Sequence, residues 1–149
     1  MWNAKKSLVL SKICTILFMA VLVAALVGGP WLVPWVVTVV WAFVPNPEPY
    51  FYLTLYSGGL VAGVLLVMLY RLLHNIGRGQ VFTAANVSLL RGISWCCFFG
   101  AAISAVSTCY YALWGFVGLV AAFVGLIVRV VKNVMAQAIA LKEENDYTV

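Results

Sequence analysis

Few side chains in this sequence are of the types that could do acid–base, nucleophilic or metal chemistry. Of the four acidic residues, Glu48 stands alone and the other three lie at residues 143–146. The single histidine, His74, lies between arginines, where a solvated side chain is expected rather than a ligand or a proton switch. The four cysteines lie inside apolar runs without the spacing of metal ligands. With no nucleophile–base pair and no phosphate-binding glycine loop, the sequence predicts a protein that is not an enzyme and has no cofactor.

The composition indicates that the protein resides in lipid. The chain of 149 residues is 65% hydrophobic and 9% charged, whereas a soluble domain carries roughly 25% charged residues. Membrane β-barrels show alternating segments of about ten residues, and this sequence has unbroken apolar runs instead. We therefore expect an all-α polytopic membrane protein with a single domain of four transmembrane helices over residues 1–149.

The apolar runs divide into four predicted spans, at about 10–30, 50–73, 90–113 and 116–131, followed by a tail at 132–149. The first run, residues 13–44, carries no charge and would measure roughly 48 Å as one helix, too long for a hydrocarbon core of about 30 Å. Pro30 after two glycines is the expected break. The tryptophan-rich residues 31–44 then form an interfacial segment, although a re-entrant segment or a long kinked first helix remains an alternative.

The orientation follows from the positive residues. All nine Lys and Arg residues lie within residues 1–12, from Arg71 to Arg91, or from Arg129 onward, at or beyond the same ends of the four spans. Because cytosolic segments are enriched in Lys and Arg, both termini and the central loop are predicted to be cytosolic.

Small and hydroxyl residues recur within the spans at helical spacing and are candidates for helix packing. Close approach of helices within one chain is the simplest interpretation, and a homo-oligomer interface or a cavity wall is the alternative. The candidate packing or cavity residues are Gly59, Gly63, Ser104, Thr108, Gly118 and Gly125.

The central loop and the tail carry the specific polar sequence. Thr83 is a predicted N-cap with Asn86 at N3, so a short amphipathic helix should begin near Ala84, follow the membrane surface and lead into the third span. The arginines of this region could pair with the acidic residues of the tail or meet anionic lipid headgroups. The candidate partner-binding residues are Arg78, Phe82, Thr83, Asn86, Arg91, Glu143, Glu144, Asn145 and Asp146.

Two segments resemble a known family. Residues 76–87 (IGRGQVFTAANV) followed by Leu90-Arg91, and residues 141–149 (LKEENDYTV), are similar to the bacterial integral membrane family catalogued as domain of unknown function 2975. The sequence departs from the family at Ala85, where an acidic residue is frequent. The family has no assigned reaction. The resemblance implies the bacterial inner membrane and, since members are neighbours of small helix-turn-helix regulators, a membrane component of a regulatory pair.

Three functions remain open at this point. The first is a sensor or regulatory protein that binds lipids or a lipophilic compound, and holds a cytosolic partner such as a small helix-turn-helix regulator, without contacting nucleic acid itself. The second is a small oligomeric channel or exporter, with the face of Ser104 and Thr108 lining its path. The third is immunity to a membrane-active peptide.

Overall fold

The structure is a computed structural model that describes residues 3–148, and in this range it is helical with no strands. Four helices are long and apolar enough to cross a membrane, so the protein is a multi-pass membrane protein. In chain order the helices are α1 (Ala4–Val27), α2 (Gly29–Val39), α3 (Glu48–Gly77), α4 (Ala84–Ser107) and α5 (Leu113–Tyr147).

The long helices form an open row rather than a closed bundle. Within residues 3–148, α1 packs on α3, α3 on α4 and α4 on α5, while α1 contacts neither α4 nor α5. Consequently few side chains are buried, and large apolar residues such as Phe18, Leu60 and Phe123 are more than 60% exposed. Lipid must cover these surfaces, because soluble proteins rarely expose apolar patches of this size to water.

The successive long helices are antiparallel, so the fold has two ends. The basic end comprises the start of α1, the loop between α3 and α4, and the second half of α5. The tryptophan end comprises α2, residues 40–47 and the turn between α4 and α5. A core cluster lies at each end, around Leu72, Leu90, Ile93 and Cys97 at the basic end and around Val33, Phe51 and Tyr110 at the other.

The break predicted at Pro30 is present. The first helix ends at Val27, Gly28 caps it by donating its N–H to the carbonyl of Ala24 over 2.8 Å, and α2 begins at Gly29 with Pro30 in its first turn. The segment predicted at residues 31–44 is helical as far as Val39, and residues 40–44 lie outside any helix. Trp31, Trp35 and Trp41 are 77%, 65% and 90% exposed, and their location in the membrane interface stays a prediction.

The third span ends earlier than predicted. We expected it to run to about Leu113, but α4 ends at Ser107 and residues 108–112 turn into α5. Successive amides here donate to the carbonyl three residues back, as Cys109 does to Val106 over 3.2 Å and Tyr110 to Ser107 over 3.3 Å. Such bonds tighten and terminate a helix, and hydrophobicity alone does not reveal them.

The fourth helix extends well beyond its predicted span, and no separate surface helix precedes the third span. Residues 126–149 contain no glycine or proline, and strong helix formers carry α5 through the predicted tail to Tyr147. The predicted helix start at Ala84 is confirmed, but this helix does not stop before the third span. The first turns of α4 continue without a break to Ser107. Val149, the last residue of the predicted tail, lies outside the described residues.

Candidate functional site

The loop between α3 and α4 is held by backbone hydrogen bonds. The N–H of Arg78 donates to the carbonyls of His74 and Asn75 over 3.2 and 3.1 Å, and that of Gln80 donates to the carbonyl of Asn75 over 3.1 Å. Gly79 has a positive φ of 80°, which a residue with a side chain rarely adopts. Gly79 therefore makes the turn that ends α3.

The buried side chain of Asn86 holds this loop in place by hydrogen bonds. This side chain is 0% exposed. Its Nδ2 donates to the carbonyls of Gln80 and Val81 over 2.6 and 2.9 Å, and its Oδ1 accepts from Asn75 Nδ2 over 2.9 Å. The interpretation of Asn86 as a partner contact is wrong for this conformation, because one buried amide here satisfies both the loop and the end of α3.

Thr83 caps α4 as predicted. Its Oγ1 accepts a hydrogen bond from the Asn86 N–H over 3.3 Å. Between this cap and the glycine turn, Phe82 is 54% exposed and Arg78 is exposed as well. The hydrogen-bonded loop thus presents an aromatic ring and a guanidinium four residues apart in sequence, on the basic end.

The end of α5 stands away from the rest of the protein. Residues 132–139 lie beside the start of α4, where Val87 and Ala136 line a shared cleft of about 280 Å³. Every residue from 140 to 148 is exposed. The four predicted tail contacts, Glu143, Glu144, Asn145 and Asp146, all belong to this free helical end.

Arg91 lies in a different environment from the other loop arginines. Together with Ser94 and Trp95 of α4, and Arg129 and Lys132 of α5, it lines a cleft of about 50 Å³. Arg91 also lines the cleft that contains Ala136 and Ile139, one helical turn before Glu143, so its pairing with the tail stays a prediction.

An apolar cavity of about 360 Å³ lies at the tryptophan end, between α1, α2, α3 and the start of α5. Phe51, Leu55, Tyr111 and Trp114 contribute to its wall. The Nε1–H of Trp114 is buried and has no hydrogen-bond partner among the described residues. An unpaired buried donor costs about 1–3 kcal/mol.

The candidate packing glycines make contacts within the chain. A Cβ on Gly59 would lie 2.6 Å from Leu26 Cδ2, and one on Gly63 would lie 3.7 Å from Leu22 Cδ2, so both face α1. On α5, Gly118 is buried against Ser104, and Gly125 is buried against Cys97.

The polar face of α4 packs rather than lining a path through the monomer. Ser104 is buried beneath Gly118, and Thr108 Oγ1 donates to the Ser104 carbonyl over 3.1 Å while its side chain contacts Gly115. Within one chain, the face of Ser104 and Thr108 is therefore not available to line a channel.

Three sets of interacting residues were not recognised from the sequence. Asn75 was not recognised as the partner of Asn86, although two asparagines flanking a glycine turn are a usable signal. Arg129 and Lys132 were treated only as markers of a span's end. Thr54, Ser107 and Tyr110 form a buried hydrogen-bonded group across α3 and α4, which no local pattern indicates.

The family comparison agrees with the sequence resemblance. The family model described as "Protein of unknown function (DUF2975)" matches residues 3–149. No curated protein and no solved structure matches the chain. Within residues 3–148, no three His, Cys, Asp or Glu side chains come together as metal ligands would.

Proposed function

This chain belongs to the DUF2975 family of unknown function, and we propose that it is a regulatory binding protein of the bacterial inner membrane. In this proposal it acts without catalysis. It senses a lipophilic compound within the membrane, and it holds or releases a cytosolic partner at its basic end.

The observation that carries the proposal is the exposed ring of Phe82 on an ordered loop. A loop fixed by the buried Asn86 has already lost its conformational entropy, so a partner does not have to order it. Exposed aromatic and arginine side chains are the residue types that anchor protein interfaces. Phe82 supplies the aromatic side chain, which is 54% exposed, and Arg78 supplies the arginine.

The free end of α5 supplies a second contact for the partner. Its last two turns are exposed on all sides and carry Glu143, Glu144 and Asp146. From Lys132 to Tyr147 the helix extends about 22 Å at 1.5 Å per residue. A small cytosolic protein, of which a helix-turn-helix regulator is the proposed example, could contact a basic aromatic loop and an acidic helix at the same time.

The apolar cavity supports the sensing half of the proposal. It is lined by apolar and aromatic side chains, among them Phe51, Leu55 and Trp114, and a lining of this kind suits a lipophilic small molecule. Trp114 lies in the first turn of α5, and the proposed partner surface includes the last turns of the same helix. A ligand that moves the start of α5 would therefore move the acidic end.

Photo-crosslinking in cells tests the partner surface. A benzophenone amino acid replaces Phe82 in one strain and Leu60 in another. Leu60 is 69% exposed in the middle of α3, where lipid is the expected neighbour. We expect an adduct with a cytosolic protein at position 82 and none at position 60.

The adduct must also depend on the rest of the surface. Replacing Arg78 by Ala, or deleting residues 141–149, should reduce its yield at least fivefold. An adduct of unchanged yield in both variants, or no protein adduct at position 82, would refute the proposed partner surface.

A further inference from the structure

Three cationic side chains line one small cleft between α4 and α5, and we propose that this cleft binds the phosphate group of an anionic ligand. The side chains are Arg91 from α4 and Arg129 and Lys132 from α5. The inference goes beyond the proposed function, because it requires neither a cytosolic partner nor the cavity at the tryptophan end.

The floor and one side of the cleft are fixed by contacts within the protein. Ser94 is buried, and its Oγ donates to the carbonyl of Gly125 over 3.0 Å, which joins the two helices beneath the cleft. The guanidinium carbon of Arg129 lies 5.9 Å from the centroid of the Trp95 ring and 6.0 Å from that of Phe98. Cation–π contacts at such distances orient the guanidinium.

The cationic charges of the cleft have no acidic partner among the described residues that line it. No carboxylate is among the lining residues. Glu48 lies at the other end of the fold, and Glu143, the nearest acid along α5, is about 16 Å from Lys132 at 1.5 Å per residue. Three like charges on one small polar cleft repel one another, and a bound anion removes that repulsion.

Phosphate is the anion that these side chains fit best. Arginine guanidinium groups bind phosphate oxygens in a bidentate manner, and a lysine ammonium adds a compact charge. The two arginines come from different helices, so together they could clamp one phosphate group from two sides.

The depth of the cleft favours the phosphate of a phospholipid as the source. Lys132 lies about 29 Å along α5 from Leu113, which equals the thickness of a hydrocarbon core of about 30 Å. Arg129 lies one turn deeper, within reach of the headgroups by extension of its side chain. Beyond the cleft, Trp95 and Phe99 are 51% and 59% exposed and offer an apolar surface for the acyl chains.

The test compares two triple variants of equal charge in nanodiscs of phosphatidylcholine. In the cleft variant Arg91, Arg129 and Lys132 become Gln. In the control variant Lys5→Gln, Lys6→Gln and Arg71→Gln remove the same charge from exposed positions outside the cleft. Short-chain phosphatidic acid is titrated into each, and the bound lipid is counted by native mass spectrometry.

We expect the cleft variant to bind phosphatidic acid at least tenfold more weakly than the wild type, and the control variant to change less than threefold. Equal weakening in both variants would mean diffuse attraction and would overturn the proposal, as would unchanged binding in the cleft variant. Circular dichroism of each variant establishes that the helices are intact, and the single Lys132→Gln variant replaces the triple one if they are not.

A parallel titration with inorganic phosphate distinguishes the source. If millimolar phosphate displaces the lipid from the wild type, a soluble phosphate ester is also a ligand of the cleft. If it does not, the acyl chains contribute and the site is specific for lipid. Both results support the phosphate site, while binding of neither probe to the wild type refutes it.

Discussion

The side-chain amide of Asn75 donates a hydrogen bond of 2.9 Å to Oδ1 of Asn86, so the last turns of α3 are joined to the first turn of α4. The same Asn86 binds two carbonyls of the intervening loop. A glycine-containing loop that would otherwise be mobile becomes a fixed part of the basic end, and the proposed partner surface depends on this arrangement.

Replacing Asn86 by Ala should destabilise the protein and release the loop. The carbonyls of Gln80 and Val81 and the amide of Asn75 would all lose their partner, at a cost of about 2–3 kcal/mol in the free energy of unfolding. Thermal unfolding in detergent, with hydrogen exchange of residues 79–81, measures both effects. Asn133→Ala is the matched control, because Asn133 is exposed on α5 and should change neither.

Replacing Gly118 by Ala should weaken the contact between α4 and α5. The added Cβ would lie 3.1 Å from the carbonyl oxygen of Ala101 and 3.2 Å from the Cβ of Ser104. Backbone and Cβ atoms cannot rotate away, so the helices must separate, and we expect a loss of about 1–3 kcal/mol. At Gly100 a Cβ meets nothing within 4 Å, and Gly100→Ala should leave the unfolding temperature unchanged or raise it slightly.

Replacing Tyr110 by Phe should destabilise the tryptophan end. The Tyr110 hydroxyl donates to Thr54 Oγ1 over 2.8 Å, and Thr54 and Ser107 hydroxyls lie 2.7 Å apart. Loss of one buried hydrogen bond costs about 1 kcal/mol. The Tyr147→Phe variant, at a position 91% exposed, should be neutral in the same unfolding experiment. Equal stability of the two variants would show that the buried hydroxyls do not contribute.

The proposed cytosolic placement of the basic end predicts a pattern of thiol labelling. In a background without the four native cysteines, Asn46→Cys should react with a membrane-impermeant maleimide in intact cells, and Gln80→Cys should react only after the cells are opened. Both positions are exposed. The reverse pattern would place the termini and the loop outside and would exclude a cytosolic partner at Phe82.

The long helices could be predicted from the sequence because their apolar runs and charged ends reflect the bilayer directly. The helix start at Ala84 followed from the capping preference of Thr83, which is a local property. The early end of α4 at Ser107 and the row of helices could not be predicted, because both depend on contacts between residues far apart, such as Tyr110 with Thr54. In lipid, hydrophobicity does not distinguish a buried face from an exposed one.

Only those parts of the candidate site that rest on local sequence could be predicted. Phe82 and Arg78 are candidates from sequence because polar and aromatic residues in a short loop stand out locally, and their contact with a partner stays a prediction. The role of Asn86 could not be predicted, because its burial and its hydrogen bond with Asn75 depend on how the loop folds. The basic cleft was missed because Arg91 and Arg129 are brought together only when α4 packs on α5.

Native mass spectrometry of the protein, extracted in mild detergent from its own cells, tests the regulatory proposal most directly. We predict that the wild-type chain retains a small cytosolic protein, and that a variant with Arg78→Ala, Phe82→Ala and no residues 141–149 does not. The Leu60→Ala variant should retain the partner as the wild type does. A wild-type chain that carries no cytosolic protein, or a homo-oligomeric ring without one, would contradict the proposal.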